Sequence, residues 1–140
     1  MAATADIVTE KRNLGQKHKF PVAASATVYA GTMVMIDSAG YARAATATAV
    51  PANHGVQGVA TQQVVNSGSA GALSVEVEEG EFKFIGSSLA QARVGENVFA
   101  TADDTVAATG SGRPQVGMLT EYVSSSVGWV LIKTGYKAPG

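Results

Sequence analysis

The sequence predicts an all-β protein: a compact β-barrel or jelly-roll-like domain of short antiparallel strands with an extended N-terminal arm. Three observations lead there. Short segments rich in Val, Thr, Ile, Tyr and Phe alternate with clusters of Gly, Ser, Asn and Asp. Only residues 89–94, LAQARV, offer a helical turn, and Gly95 ends it. Finally, one stretch of the chain is echoed by another further on. With 140 residues, 46% of them hydrophobic, the chain is long enough for one domain with a real core.

In chain order, residues 1–20 (MAATADIVTEKRNLGQKHKF) stand apart. Four of the ten Lys and Arg residues fall between Lys11 and Lys19, and no period of 2 or 3.6 puts apolar residues on one face. This reads as an extended basic arm, with a single β-domain over 21–140. The stretch fits neither a signal peptide nor a membrane span, so the chain is expected to be made and used without crossing a translocon. The predicted strands are 26–30, 32–37, 41–46, 56–65, 73–79, 81–86, 96–101, 105–109, 115–123 and 128–134. Each is short, rich in β-branched or aromatic residues and bounded by turn formers. The segment NSGSAGA (66–72) reads as a flexible connection.

The echo joins AGTMVMIDSAGYARAA (30–45) to VGENVFATADDTVAAT (94–109). Without gaps, Gly31 falls on Gly95, Val34 on Val98, Met35 on Phe99 and Ala44 on Ala108. VQGVATQ (56–62) then matches QVGMLTE (115–121), with Gly58 on Gly117, and each phrase leads to an alternating strand, LSVEVEEG (73–80) or VGWVLIKTG (127–135). A half-domain of hairpin, Gly-centred strand and closing strand is therefore expected twice.

The repeat decides how Asp103 and Asp104 are read. Their counterparts are Ala39 and Gly40, so the position requires a tight turn and not a metal or an acid–base pair. Glu76 and Glu78 share one strand face opposite Val75 and Val77, which predicts a charged solvent face over a buried one. Glu79 and Glu81 flank Gly80 as a polar turn. His18 and His54 stand alone, without metal-ligand spacing, and there is no cysteine. GSGRPQVG (110–117) lacks the Lys and following helix of a phosphate loop, and no serine sits in a nucleophile elbow. No catalytic residue, metal or cofactor is expected, and the chain reads as a non-enzyme.

Charge narrows the partners. Net charge is −1, and charged residues are 15% of the chain against about 25% in ordinary soluble domains. Residues 21–140 keep six Lys and Arg against nine Asp and Glu, so neither nucleic acid nor an anionic membrane is drawn to the domain. A partner would be gripped by the arm, through Lys11, Arg12, Asn13, Leu14, Lys17, His18, Lys19 and Phe20. Fully extended, twenty residues span about 66 Å.

The order of phrases AGTMVMIDSAGYARAA, GVQGVATQ, VEVEEGEFKF, VGENVFATADDTVAA and QVGMLTEYV…GWVLIK resembles the capsid decoration, or cement, proteins of tailed bacteriophages over residues 22–134. That resemblance implies a β-barrel or jelly-roll-like core and no catalytic residues. It implies binding to the outside of the phage major capsid protein shell, bridging neighbouring capsomers and stabilising the virion head. It also implies a homo-oligomer, trimers being common and dimers known, located on the capsid exterior and in host cytoplasm during assembly. The alternative is a β-barrel module for a carbohydrate or receptor displayed on a virion. A third reading, a small hydrolase or metal enzyme, rests only on Glu76, Glu78, Asp103 and Asp104.

Overall fold

The computed structural model describes residues 2–47, 53–138 and 140. Met1 of the N-terminal arm lies outside them. Thirteen strands are described: β1 (Lys11–Arg12), β2 (Lys17–Pro21), β3 (Ala26–Val28), β4 (Met33–Ile36), β5 (Ala42–Ala44), β6 (Val56–Ala60) and β7 (Val64–Asn66), then β8 (Ser74–Glu78), β9 (Gly80–Ser87), β10 (Asn97–Ala102), β11 (Thr105–Ala107), β12 (Gln115–Ser124) and β13 (Val127–Ile132). One 3-10 turn, Gln91–Arg93, interrupts them where the sequence predicts a helical turn. The fold is all-β.

The strands form two five-stranded halves of identical topology. The first runs β2-β8-β6-β4-β5, the second β9-β13-β12-β10-β11. The second closes into a barrel because β9 pairs antiparallel with β13 and parallel with β11. In the first half the same seam is reduced to one parallel bridge, Val22 with Ala42. Closure removes exposed strand edges, the usual weakness of small sheets.

The internal repeat holds to the level of register. Val34 pairs with Ala44 and Met35 with Arg43 in the first hairpin, and Phe99 pairs with Ala107 in the second. Val34 opposes Gly58 as Val98 opposes Gly117, with a register shift at the next residue in both halves. His18 pairs with Val77 as Phe82 pairs with Val130. Even the bridge of Val22 to Ala42 has its counterpart in Gly86 to Val106. Residues 17–44 thus correspond to 81–108, residues 56–60 to 115–119 and residues 74–78 to 127–131.

This moves the predicted boundary of the arm. Lys17–Phe20 are extended, as expected, but they form the first strand of the first half, the equivalent of Glu81–Phe84. His18 and Phe20 are half-buried while Lys17 and Lys19 are exposed, the alternation that a strand with one inward face requires. The predicted strand 56–65 is also two. Thr61, Gln62 and Gln63 are exposed and turn the chain out of the sheet, so that β7 can pair with β3.

Each barrel is filled by alternating side chains. Val22, Val34, Ile36, Ala42, Ala60, Val75 and Val77 fill the first, with Phe20 against them. The second is filled by Phe82, Phe84, Val98, Ala100, Val106, Leu119 and Val130. The halves compensate for one another's volumes. Where the first has Val22 and Val75, the second has Gly86 and Gly128. A Cβ on Gly86 would lie 2.8 Å from Leu89 Cδ1, and one on Gly128 would lie 2.8 Å from Leu119 Cδ1. Two leucines therefore occupy the space of two valines, as close packing of a fixed interior demands. The outward Met33, Met35, Val56 and Val59 of the first half join the core of the second, making the two barrels one packed unit.

Gly58 and Gly117 mark the closest strand approaches. A Cβ would come within 2.6 Å of Glu78 O at Gly58 and 1.9 Å of Leu131 O at Gly117, both backbone atoms that cannot swing aside. Gly117→Ala is expected to cost about 3 kcal/mol and Gly58→Ala about 1–2 kcal/mol, the range for forced overpacking. Urea unfolding midpoints of the two variants measure this, and equal or absent losses would contradict the ranking.

Candidate functional site

Of the residues expected to grip a partner, Lys11–Leu14 and Lys17 lie along the groove between the two barrels and already meet partners in this chain. His18 and Phe20 face the first core, and Lys19 is exposed. The N-terminal segment begins on the second half, where Ala3 N–H donates to Asp103 Oδ1 (2.9 Å). It then crosses the first half. Ala30 N–H donates to Asp6 Oδ1, Ile7 N–H to Ala30 O, and the Thr9 hydroxyl to Gly31 O (2.6 Å). Glu10 returns it to the second half, accepting from Lys83 N–H (3.0 Å) and pairing with Lys83 Nζ (3.2 Å).

From Lys11 onward, cations meet the acidic run 76–81. β1 adds to the edge of β9, with Lys11 opposite Phe82 and Arg12 opposite Glu81. Lys11 Nζ donates to Glu78 Oε1 at 2.9 Å, and Lys17 Nζ stands 3.9 Å from Glu78 Oε2. The Arg12 guanidinium lies 4.0 Å over the Trp129 ring and pairs with Glu81 (3.2 Å) and Glu121 (2.9 Å). Those carboxylates raise its pKa, the Glu121 hydrogen bond most. Asn13, at φ +50, donates its amide to Glu81 Oε1, and Leu14 packs over Gly80. His18 faces the first core with its ring 6.3 Å from that of Phe20. Lys19 is exposed opposite Glu76 in the strand register.

The acidic run is therefore not a solvent face, and here the expectation for Glu76 and Glu78 is corrected. Glu78 is only 5% exposed, because β1 and β2 lie over it and supply two ammonium groups. Glu76 accepts from the Thr61 hydroxyl (2.9 Å). Glu79 accepts from Thr134 N–H (2.7 Å) and Gln16 N–H (3.1 Å), which hold its carboxyl below the ordinary range, the Thr134 bond most. Glu81 is lowered likewise, first by the Thr120 hydroxyl (2.7 Å) and then by Asn13. A small cleft of about 280 Å³ remains, lined by Ile7, Lys11, Lys17, Val59, Glu78 and Phe82.

The C-terminal tail fastens the groove from the other side. Gln57 exchanges two hydrogen bonds with Gly135, and Lys137 Nζ donates to Val56 O and Lys133 O, both at 2.5 Å. Burial pushes the Lys137 ammonium down to about 8, against the opposing pull of Glu79. No signal in the sequence marked this lysine.

Asp103 and Asp104 form the tip of the β10–β11 hairpin, as the repeat predicts. Asp103 is nonetheless 2% exposed, capped by Ala3, and its burial raises its pKa. Among the described residues no three His, Asp or Glu side chains gather to hold a metal. Gly110–Pro114 leads into β12, so no helix follows that glycine-rich stretch. The NSGSAG connection is anchored by Asn66, whose amide donates to Val22 O, Ala23 O and Ser69 O. No protein-family model, curated protein or solved structure matches the chain.

Two titrations follow. The folded pKa values of Glu79 and Glu81 lie below their unfolded values. The stability they contribute is therefore complete above about pH 4.5 and lost as pH falls through the folded values. The thermal midpoint should drop over that interval, and Glu79→Gln with Glu81→Gln should flatten the drop. An unchanged profile would contradict the assignment. Lys137 has the opposite consequence. Its depressed pKa makes the folded state release a proton first, so its burial penalty is full below about pH 8 and disappears toward the unfolded value. Carbon-13 methylated Lys137 should titrate near 8 by NMR.

Proposed function

We propose that the protein is a structural component of a phage virion, binding the outer surface of the major capsid shell and stabilising it across neighbouring capsomers. The single observation that carries the reading is the ordered series of phrases over residues 22–134 that resembles the capsid cement proteins. The geometry supports a mechanical role. The charged groups of residues 6–17 and 76–81 hold the two barrels together as one unit, and both termini are fastened across the groove. Apolar side chains remain outside, among them Val8 at 100% exposure and Ile85 at 64%. Buried against a shell, such side chains would contribute about 1.5–3 kcal/mol each, multiplied by repetition over a symmetric lattice. A ligand of the expanded lattice alone stabilises that state by mass action.

The carbohydrate alternative is weakened by one contact. Trp129, the only indole in the chain, has Arg12 stacked on its ring, so that face is taken by the chain's own guanidinium and is not free to stack on a sugar. In this reading the protein is a homo-oligomer on the virion exterior and not an enzyme.

Sedimentation with expanded and unexpanded shells, built from a major capsid protein of the same genome, tests the proposal. Saturable, stoichiometric binding to expanded shells alone is the expected result. Because Lys17–Phe20 belong to a barrel, the informative truncation removes residues 1–10 and not 1–20, and it should weaken binding. If the full chain binds neither shell the reading fails, and saturable glycan binding would put the carbohydrate module in its place.

A further inference from the structure

The two halves begin their hairpins with the same backbone hydrogen bonds. Thr32 N–H donates to Tyr29 O as Glu96 N–H donates to Arg93 O. Gly31 N–H donates to Ala60 O as Gly95 N–H donates to Leu119 O, and Ala60 N–H reaches Thr32 O as Leu119 N–H reaches Glu96 O. Both glycines are left-handed, with φ +83 and +95. Only one is covered. A Cβ on Gly31 would lie 2.0 Å from Ile7 O, because the chain's own residues 6–9 run across it. A Cβ on Gly95 would meet nothing within 4 Å.

The unused bonding groups match. In the first half, Ala30 O accepts from Ile7 N–H and Gly31 O from the Thr9 hydroxyl. In the second, Val94 O and Gly95 O have no donor among the described residues. The apolar position beside each site differs in exposure: Val59 is 5% exposed, held in the core shared with the second half, whereas its counterpart Met118 is 37% exposed. The donors differ in one respect. Ala30 N–H reaches Asp6, but Val94 N–H is already bonded to Gln91 O, so a carboxylate gains nothing there.

We infer that Val94–Gly95, with Met118 beside them, binds an extended segment of a partner polypeptide. The segment presents a backbone N–H to Val94 O and a Thr or Ser hydroxyl two residues later to Gly95 O, with a β-branched residue against Met118. This is peptide recognition by backbone addition, with side-chain spacing giving selectivity. The chain's own Ile7-Val8-Thr9 has that pattern but is held in cis on the first half, where tethering favours it over any second copy. The occupant is therefore another protein. The proposal rests on the comparison of the halves and not on the shell reading.

The test titrates the intact nitrogen-15-labelled protein with the capped peptide AIVTE. Saturable amide shifts at Val94, Gly95, Met118 and Leu119 are expected. Replacing the peptide's Thr by Val should weaken binding roughly fivefold, the value of one hydrogen bond. Met118→Glu, on an exposed side chain that the fold does not need, should abolish the shifts. Shifts confined to Ala30 and Gly31 would mean exchange with the chain's own segment and would overturn the site. Unchanged binding by Met118→Glu, or no saturable shift, would overturn it too. So would self-association of the peptide-free protein that Met118→Glu removes, since the occupant would then be a second copy.

Discussion

The corner Glu78-Glu79-Gly80-Glu81 is the constraint on which the rest depends. There the chain leaves the first barrel and enters the second with a single residue, Glu79, between strands, so the end of β8 and the start of β9 are held side by side by the backbone itself. Its three carboxylates point to different places. Glu78 receives Lys11 and Lys17, Glu79 receives Gln16 and Thr134, and Glu81 receives Arg12, Asn13 and Thr120. A buried carboxylate is costly unless paired and hydrogen-bonded. The corner therefore folds well only with both termini in place, and each terminus is ordered by meeting it.

The repeated topology explains why so few residues specify so much. Two barrels of one register can be written twice with different side chains, provided that volume is conserved within each. Leu89 and Leu119 do in one barrel what Val22 and Val75 do in the other. The outer faces have diverged further. Met33, Met35, Val56 and Val59 seal one barrel against its neighbour, while the second barrel keeps Met118 at the surface. A head-to-tail arrangement of similar units that does not close into a ring leaves one such face unmatched.

Most of the strands were legible because period-2 alternation and turn residues are local signals. The repeat was legible from Gly31 onward for the same reason, and with it the turn at Asp103-Asp104. Two features were not. The strand Lys17–Pro21 was hidden because cations alternate there with His18 and Phe20, and the eye reads four charges as a solvated arm. KHKF set over EFKF (81–84) carried the missing signal. The burial of Glu78 and Asp103 was invisible because it arises from Lys11, Lys17 and Ala3, more than sixty residues away in sequence. Ion pairs of that kind follow from topology, and no local period announces them.

Pairings so distant in sequence also set an order in time. β1 and β2 leave the ribosome well before the strands they pair with: β2 waits for β8 and β1 waits for β9. The hairpin of β4 and β5 and its strand β6 are near neighbours that can meet early, since short loops close at little entropic cost. The chain is thus synthesised from its N-terminus, but that terminus is among the last parts to settle. For as long as the acidic corner is unmade, residues 2–21 remain an exposed basic tail.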